Sequence, residues 1–236
     1  MEFQGRKLRN EYKYYIHLHE YMTLRHRLTK IMNMDEYSID GEGYGIRSLY
    51  FDGYQNHSLY DKNNGVFKRD KYRIRIYNGQ DDRITLERKS KYGDYIAKEG
   101  AALSRKEYEA LLVGDAQCLK DKDNLLCNEF YHAVTNRAFR PTVIVDYTRE
   151  AYVYPHGNVR VTFDKRVSAG VNTIDLFDDN LALEEAISGP ITVMEVKFDS
   201  YLPDFVRKVV QPDHYVRSAI SKYVICRESK YKHHKE

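Results

Sequence analysis

Charged and apolar residues alternate along several segments of the chain, which is the pattern of β-strands with one charged face. In KYRIRIY, residues 71–77, the odd positions place Lys71, Arg73 and Arg75 on one face, while the even positions are apolar or aromatic. The same split recurs at Thr85-Glu87-Lys89, at Arg160-Thr162-Asp164 and at Glu195-Lys197. An ordinary half-buried sheet with its charged face in water has this pattern too. Because Arg and Lys are interleaved with Glu on several strands, a closed sheet whose charged faces point inward around a polyanion is the sharper hypothesis.

The periodicity of the whole chain predicts an α+β fold in which strands dominate. Strands are expected at 10–17, 46–52, 70–78, 82–90, 95–99, 142–150, 152–154, 158–165 and 191–199. Helices are expected at 18–34, 105–113, 124–137, 201–210 and 214–226, with a short one at 56–62. Ser104 and Glu107 have the spacing of a capping box, and residues 78–81 suit a hairpin turn. We predict a single domain over residues 1–228, followed by a charged, disordered tail at 229–236.

The overall charge argues against a protein that coats nucleic acid. The 236 residues include 38 Lys and Arg against 35 Asp and Glu, a net charge of only +3. A protein that covers a duplex would usually show a larger and more continuous basic excess, so no nucleic-acid partner is expected. If the protein binds an anion, its positive charge must be concentrated locally.

Cysteine content and hydropathy indicate where the protein works. Cys118, Cys127 and Cys226 are an odd number without CxxC spacing, which is typical of reduced thiols in the cytosol. The chain begins without the apolar core of a signal peptide, and no apolar run approaches the roughly 18 residues of a membrane span. We therefore expect a cytoplasmic protein with no membrane segment in this chain.

Eight short motifs resemble, in consistent order, those of the VTC domain. They are EYKYYI (11–16), RSLYFD (47–52), KYRIRIY (71–77), LERK (86–89), DYTRE (146–150), NVRVTFD (158–164), MEVKF (194–198) and SKY (221–223). The VTC domain is the polyphosphate polymerase branch of the triphosphate tunnel metalloenzymes. The resemblance runs from Glu11 to Lys222 and implies an antiparallel β-barrel that forms a tunnel, with a basic lumen and helices packed outside.

The resemblance also implies a set of site residues. The residues expected to contact the reacting phosphates are Arg73, Arg75, Lys89, Arg149, Arg160 and Lys222. Further phosphate-binding residues are Lys13, Tyr147 and Ser221, and Lys197 joins them because it shares a strand face with Glu195. Glu195 matches the acidic residue that binds the divalent cation, Mn²⁺ or Mg²⁺. Where some relatives carry a second lysine before the final Ser-Lys, this chain has Ala219, so either Arg217 substitutes or the lumen is one charge poorer there.

Three other carboxylates can be interpreted in two ways from the sequence. Glu87 and Asp164 could assist metal binding, but a structural salt bridge inside a crowded basic lumen is at least as consistent with their positions. Glu11, on the first long strand, has the same ambiguity.

Three functions are compatible with these residues. The first is an ATP-dependent polyphosphate polymerase that transfers the γ-phosphate of ATP to a phosphate or polyphosphate acceptor. The second is a tripolyphosphate or nucleoside triphosphate hydrolase of the same superfamily, and the third is a non-catalytic polyphosphate-binding module. The Arg73-x-Arg75 pair and Glu195 argue against the third. Residues 10–13 read NEYK and lack the Glu-x-Glu-x-Lys signature of the wider superfamily, which favours the first.

Overall fold

A computed structural model describes residues 2–3, 6–38, 41–93, 95–211 and 216–232. The strands are β1 (Glu2–Phe3), β2 (Arg6–Lys7), β3 (Arg9–His17), β4 (Asn33–Met34), β5 (Tyr44–Asp52), β6 (Lys68–Tyr77), β7 (Gln80–Tyr92), β8 (Tyr95–Leu103), β9 (Arg140–Tyr154), β10 (Val159–Gly170), β11 (Leu183–Glu185) and β12 (Ile191–Phe198). The α-helices are α1 (Leu18–Leu28), α2 (His57–Asn63), α3 (Arg105–Leu112), α4 (Leu125–Asn136), α5 (Asp204–Val210) and α6 (Lys222–Lys232).

Eight strands close into an antiparallel ring. Their order is β10, β12, β3, β8, β7, β6, β5 and β9, and β9 pairs again with β10. The strands β4 and β11 extend the ring, because β4 pairs with β9 beyond the end of β5 and β11 pairs with β10 beyond the end of β12. This arrangement confirms the α+β class and the closed sheet, and excludes a half-buried sheet with its charged face in water.

The apolar positions of the strands point outward and are covered by helices. On one side, Leu49, Ile74 and Leu86 pack with residues of α3 and α4 in a buried cluster. On the other side, the outer residues of β3, β10 and β12 pack against α1 and α5. Since alternate strand residues take opposite faces, burying these apolar residues under helices directs the charged residues into the lumen.

The last helix, α6, is the exception, because it contacts the inner face of the ring. Its buried residues Tyr223, Val224 and Cys226 pack in one cluster with residues of β5, β9 and β10. Tyr147 belongs to this cluster and also lines the lumen, as does Tyr223. The segment before α6 follows β3, where the Ser218 amide donates to the Lys13 carbonyl at 2.9 Å. The start of α6 therefore faces the inside of the tunnel.

Local sequence signals account for one hairpin turn and for the start of one helix. The β6–β7 hairpin turns through Asn78 and Gly79, whose φ angles of 50° and 71° match a two-residue type I′ turn. The capping box of α3 is present, with the Ser104 amide donating to Glu107 at 2.7 Å and the Glu107 amide donating to Ser104 at 3.3 Å.

Several predicted boundaries are wrong. Helix α1 ends at Leu28 instead of continuing to 34, and residues 33–34 form β4 beside β9. The predicted strands 142–150 and 152–154 are one strand, β9. The final helix begins at Lys222 rather than 214 and includes residues 229–232 of the tail predicted to be disordered. Residues 212–215 and 233–236 lie outside the described residues. No helix in the described part of the chain has the length and apolar content needed to cross a membrane.

A glycine substitution tests how closely the loop before β5 approaches the lumen strand β9. Gly43 has a φ of +93°, and a Cβ there would lie 2.2 Å from the Arg149 carbonyl oxygen. We expect Gly43→Ala to lower the free energy of unfolding by about 3 kcal/mol or more, because left-handed backbone and a steric clash combine. The measurement is urea unfolding.

The matched control is Gly189→Ala. Gly189 also has a positive φ, +81°, but its Cβ would meet nothing within 4 Å. Only the backbone cost of about 1–2 kcal/mol should remain there. Equal destabilisation by the two substitutions would contradict the close approach to β9.

Candidate active site in the tunnel

The lumen is a cavity of about 1050 Å³ with a strongly basic wall. Among the described residues its basic lining consists of Arg9, Lys13, Arg69, Lys71, Arg73, Arg75, Lys89, Lys91, Lys98, Arg149, Arg160, Lys197, Arg217 and Lys222. Of the described residues in this lining, only Glu11 and Glu195 carry a carboxylate, and tyrosine side chains fill much of the remaining wall. Seven of the eight ring strands contribute a basic residue, so positive charge surrounds the cavity.

Arg73 and Arg75 lie side by side on β6 and share one buried carboxylate. The Arg73 Nε and Nη2 atoms are both 2.7 Å from Oε2 of Glu87, and its Nη1 donates to the Tyr50 hydroxyl at 2.8 Å. The Arg75 Nη2 donates to the Tyr147 hydroxyl at 3.1 Å, and its Nη1 is 3.8 Å from Glu87. Glu87 thus forms a structural ion pair with both arginines, which supports the salt-bridge interpretation for this residue.

Glu195 is the centre of a second group of charges. Its Oε1 accepts from Lys222 Nζ at 2.6 Å, and its Oε2 is 3.1 Å from Lys197 Nζ. The Lys13 ammonium is 3.5 Å away. Burial alone would raise the pKa of Glu195, but the ammonium groups of Lys13, Lys222 and Lys197 hold that pKa well below its usual value. Glu195 is therefore ionised at neutral pH.

Glu11 lies next to Glu195 because β3 and β12 pair in a register that sets Glu195 opposite Lys13 and Glu11 opposite Lys197. Its two oxygens accept from Lys89 Nζ at 2.8 and 2.6 Å. Burial opposes ionisation of Glu11, yet Lys13 and Lys89 lower its pKa below the usual value. The lumen thus contains two adjacent ionised carboxylates surrounded by lysines.

Asp164 is fully buried behind this pair and serves Arg149. The Arg149 Nε and Nη2 atoms donate to the two Asp164 oxygens at 2.6 and 2.8 Å, a bidentate geometry. The Lys222 ammonium contacts the same carboxylate. Asp164 is therefore a positioning group for Arg149 and Lys222, which again favours the salt bridge over a metal ligand.

The structure brings all eleven predicted site residues to the lining of this cavity. Arg160 lies near the start of β10, where it donates to the Tyr44 hydroxyl at 3.0 Å and pairs with Asp35. Ser221 precedes α6, and its Oγ accepts from Lys71 Nζ at 2.9 Å. Arg217 also lines the cavity, while Ala219 adds no charge. The roles of these residues in catalysis stay predictions.

Several basic residues of the lumen are not among the site residues predicted from the sequence. Lys71 shares the face of Arg73 in KYRIRIY, so the alternation already identified it as inward-facing. Lys98 lies opposite Lys89 in the β7–β8 register, and its ammonium is 2.6 Å from Glu87. That pairing could not be predicted from residues 95–99 alone, because a short strand carries no information about its partner.

The two lumen carboxylates fit a divalent cation only in part. Within the described residues no group of three or more His, Cys, Asp or Glu side chains could hold a metal ion. Mg²⁺, however, is commonly bound through one or two carboxylates together with phosphate oxygens and water. Glu11 and Glu195, ionised and facing the same lumen, fit that mode of binding.

The chain belongs to the VTC domain family, whose family model matches residues 8–231. The resemblance inferred from the eight motifs is therefore confirmed over almost the whole chain. A search of curated protein sequences found no match.

Solved structures support the tunnel fold independently. HpAC1 of Hippeastrum, provisionally assigned as an adenylyl cyclase and described as having a dominant triphosphatase activity, aligns with a TM-score of 0.55 at 13% identity. The alignment covers 95% of this chain and 96% of that one. A protein of Bacillus halodurans, provisionally assigned as an adenylate cyclase, aligns with a TM-score of 0.52 at 13% identity over 88% of both chains. At this identity the similarity establishes the fold.

The crowding of lysines around Glu11 predicts that the binding of an anion in the lumen would depend on pH. Burial lowers the pKa of Lys89 to about 7; Glu11 acts against this shift, and Lys13 adds repulsion. A polyanion in the lumen raises that pKa, so binding takes up a proton. We expect the affinity for inorganic tripolyphosphate, measured by titration calorimetry, to fall as the pH rises above about 7, by up to roughly tenfold per pH unit.

The variant Lys89→Arg separates this effect from general alkaline weakening, because arginine stays protonated. Its affinity should depend less steeply on pH between 7 and 9 than that of the wild type. Lys106→Arg, an exposed change on α3, should leave the profile unaltered. A wild-type affinity for tripolyphosphate that did not change between pH 6 and 9 would contradict the lowered pKa of Lys89.

Proposed function

We propose that this protein is a metal-dependent phosphotransferase that transfers the γ-phosphate of ATP to a growing polyphosphate chain inside the basic tunnel. The observation that carries the proposal is the concentration of basic side chains, fourteen among the described residues, on the wall of one cavity in a chain whose net charge is only +3. A triphosphate or a polyphosphate end is a compact polyanion that such a lumen can surround on all sides.

Arginine and lysine side chains would have different roles in binding the phosphates. Arg73, Arg75 and Arg149 are held by Glu87 and Asp164, so their guanidinium groups are already oriented before a ligand arrives. Phosphoryl transfer requires mainly positioning and charge stabilisation, and preorganised donors supply both without reorganising during the reaction. Lys222, Lys13 and Lys197 add point charges near Glu195. The lysines can turn from the carboxylate to a phosphate oxygen.

A divalent cation, Mg²⁺ or Mn²⁺, would be held by Glu195, with Glu11 as a second ligand. When bound, it would neutralise phosphate oxygens and stabilise the charge on the transferring phosphoryl group. The protein's part is to keep both carboxylates ionised, which the surrounding lysines achieve by lowering their pKa values.

The acceptor explains why no dedicated general base is needed. A phosphate or polyphosphate end is already an anionic nucleophile, so transfer to it requires no proton abstraction by a side chain. The lumen accordingly contains basic residues, tyrosines and two carboxylates, and no histidine or cysteine is found among its described lining residues.

A hydrolase of tripolyphosphate or nucleoside triphosphates is the second candidate. The observation that favours it is the similarity of fold to HpAC1 of Hippeastrum, which is described as having a dominant triphosphatase activity. Transfer to water and transfer to phosphate can use the same phosphate-binding residues, so the products distinguish the two.

The assay that tests the proposal is incubation with ATP and Mn²⁺, followed by separation of ADP, phosphate and polyphosphate. We expect ADP and lengthening polyphosphate, with kcat/KM at least about a hundredfold lower in Arg73→Ala, because an oriented donor to the phosphate is lost. ADP with only free phosphate would establish the hydrolase. Binding of polyphosphate without any turnover of ATP would indicate a non-catalytic polyphosphate-binding module. Arg105→Ala, on the outer helix α3, is the matched control and should retain activity.

Metal removal tests the roles of the two carboxylates. Chelation with EDTA should abolish turnover, and Mg²⁺ or Mn²⁺ should restore it. Glu195→Gln and Glu11→Gln should raise the metal concentration that gives half-maximal activity, and Glu195→Gln should raise it more. Glu109→Gln on α3 serves as the control. An unchanged metal requirement in both lumen variants would exclude these residues as ligands.

A further inference from the structure

A buried carboxylate outside the tunnel lining attaches the start of α6 to the barrel. Asp52, the last residue of β5, is 1% exposed and is not among the described residues that line the cavity. Its Oδ2 accepts a hydrogen bond from the Tyr223 hydroxyl at 2.5 Å. Its Oδ1 accepts from the backbone amides of Gly53 and Ser58, each at 2.9 Å. In the described part of the chain, the carboxylate therefore contacts uncharged donors.

Asp52 differs in this respect from the buried carboxylate beneath the outer helix α1. That carboxylate, Glu150, is 2.9 Å from Arg25 and 3.4 Å from Lys165, so its charge is compensated. A carboxylate that is buried without a basic partner costs free energy and depends on its hydrogen bonds. For Asp52 these bonds join β5 to α6 on one side and to the start of α2 on the other.

The bond to Tyr223 fixes the rotation of the first turn of α6. Lys222 and Tyr223 are consecutive in this turn, so their side chains leave the helix about 100° apart. Tyr223 reaches Asp52 on β5, whereas Lys222 Nζ is 2.6 Å from Glu195 on β12 and also contacts Asp164 on β10. Burial and the Asp52 carboxylate raise the pKa of Tyr223, so its hydroxyl keeps its proton and stays a donor. With Tyr223 fixed, the direction of Lys222 is fixed too.

Two other contacts at the start of α6 involve ammonium groups of the lumen. Lys71 Nζ donates to Ser221 Oγ at 2.9 Å, and Lys222 pairs with Glu195. Both lysines line the cavity, so a phosphate bound there would compete with Ser221 and Glu195 for them. The hydrogen bond between Tyr223 and Asp52 involves neither ammonium group. It is therefore the contact that a bound polyanion would leave in place.

We propose that Asp52 is a positioning residue for Lys222: through the Tyr223 hydroxyl it fixes the first turn of α6 and directs the Lys222 ammonium into the lumen. The inference rests on the proposed function in one respect, that Lys222 binds a phosphate group in the tunnel. It adds a residue that never touches the ligand. When a phosphate draws Lys222 away from Glu195, Asp52 keeps the helix, and with it the lysine, at the wall of the lumen.

The test is a double-mutant cycle on the affinity for inorganic tripolyphosphate, measured by titration calorimetry without turnover. Tyr223→Phe keeps the ring and removes the hydroxyl that bonds to Asp52. We expect it to weaken binding by about three- to tenfold, the range that corresponds to one hydrogen bond. In a Lys222→Met background the same substitution should have no further effect, because the lysine that Asp52 positions is absent. A contribution to folding alone would not depend on Lys222.

A second variant and a matched control accompany the cycle. Asp52→Asn has nearly the same size, but its one oxygen is needed by the amides of Gly53 and Ser58, which leaves an NH₂ group toward Tyr223. It should weaken binding in the same direction, again only when Lys222 is present, and it serves if Tyr223→Phe does not fold. Tyr21→Phe is the control. It removes a hydroxyl that bonds to Glu150 at 2.6 Å outside the tunnel, and should lower stability without changing affinity.

The other outcomes each decide the question. Equal weakening by Tyr223→Phe with and without Lys222 would overturn the positioning role, as would an unchanged affinity in the single variant. Weakening by Tyr21→Phe as large as that by Tyr223→Phe would do the same, because loss of any buried hydroxyl bond would then suffice. In these cases the anion-binding tunnel would stand. If the wild-type protein did not bind tripolyphosphate, the proposed function would fail, and the role of Asp52 with it.

Discussion

In the part of the chain that the structure describes, fourteen basic side chains line one cavity. They repel one another and lose water on burial, and the rest of the tunnel depends on how that cost is offset. Four buried carboxylates, those of Glu11, Glu87, Asp164 and Glu195, each contact at least two of the basic groups. Removing one partner of a buried ion pair typically costs about 3–5 kcal/mol, because the other charge is left uncompensated. Loss of any one of these carboxylates would therefore leave uncompensated positive charge in the wall of the barrel.

The same pairing explains how the site can be ordered and still present positive charge to the lumen. The carboxylates hold individual guanidinium groups in fixed orientations, yet only Glu11 and Glu195 are on the cavity surface itself. Glu87 and Asp164 lie behind the arginines and are 2% and 0% exposed. The positive ends of these pairs therefore face the lumen and the negative ends face the wall. A polyanion entering the lumen meets donors that are already positioned.

The period of two along the strands was enough to predict the lumen face of β6, because KYRIRIY can bury Ile74 and Ile76 only by directing Arg73 and Arg75 the other way. The order of the family motifs then indicated that strands far apart in the sequence belong to the same barrel. What sequence could not supply is register: the closeness of Glu11 to Glu195 depends on how β3 pairs with β12, and Lys98 reaches Glu87 only through the β7–β8 pairing. The two-residue strand β4 was missed since two residues carry no periodicity. Whether Glu87 and Asp164 bind metal or arginine is likewise a question of distance.

The concentration of basic residues in the tunnel has a counterpart elsewhere on the molecule. With a net charge of +3 for the whole chain and fourteen basic residues on the cavity wall, the remaining residues include more acidic than basic side chains. Long-range fields of this kind steer charged ligands and act on association rates. A polyphosphate would therefore be attracted to the tunnel rather than to the rest of the protein, where basic side chains are not in excess.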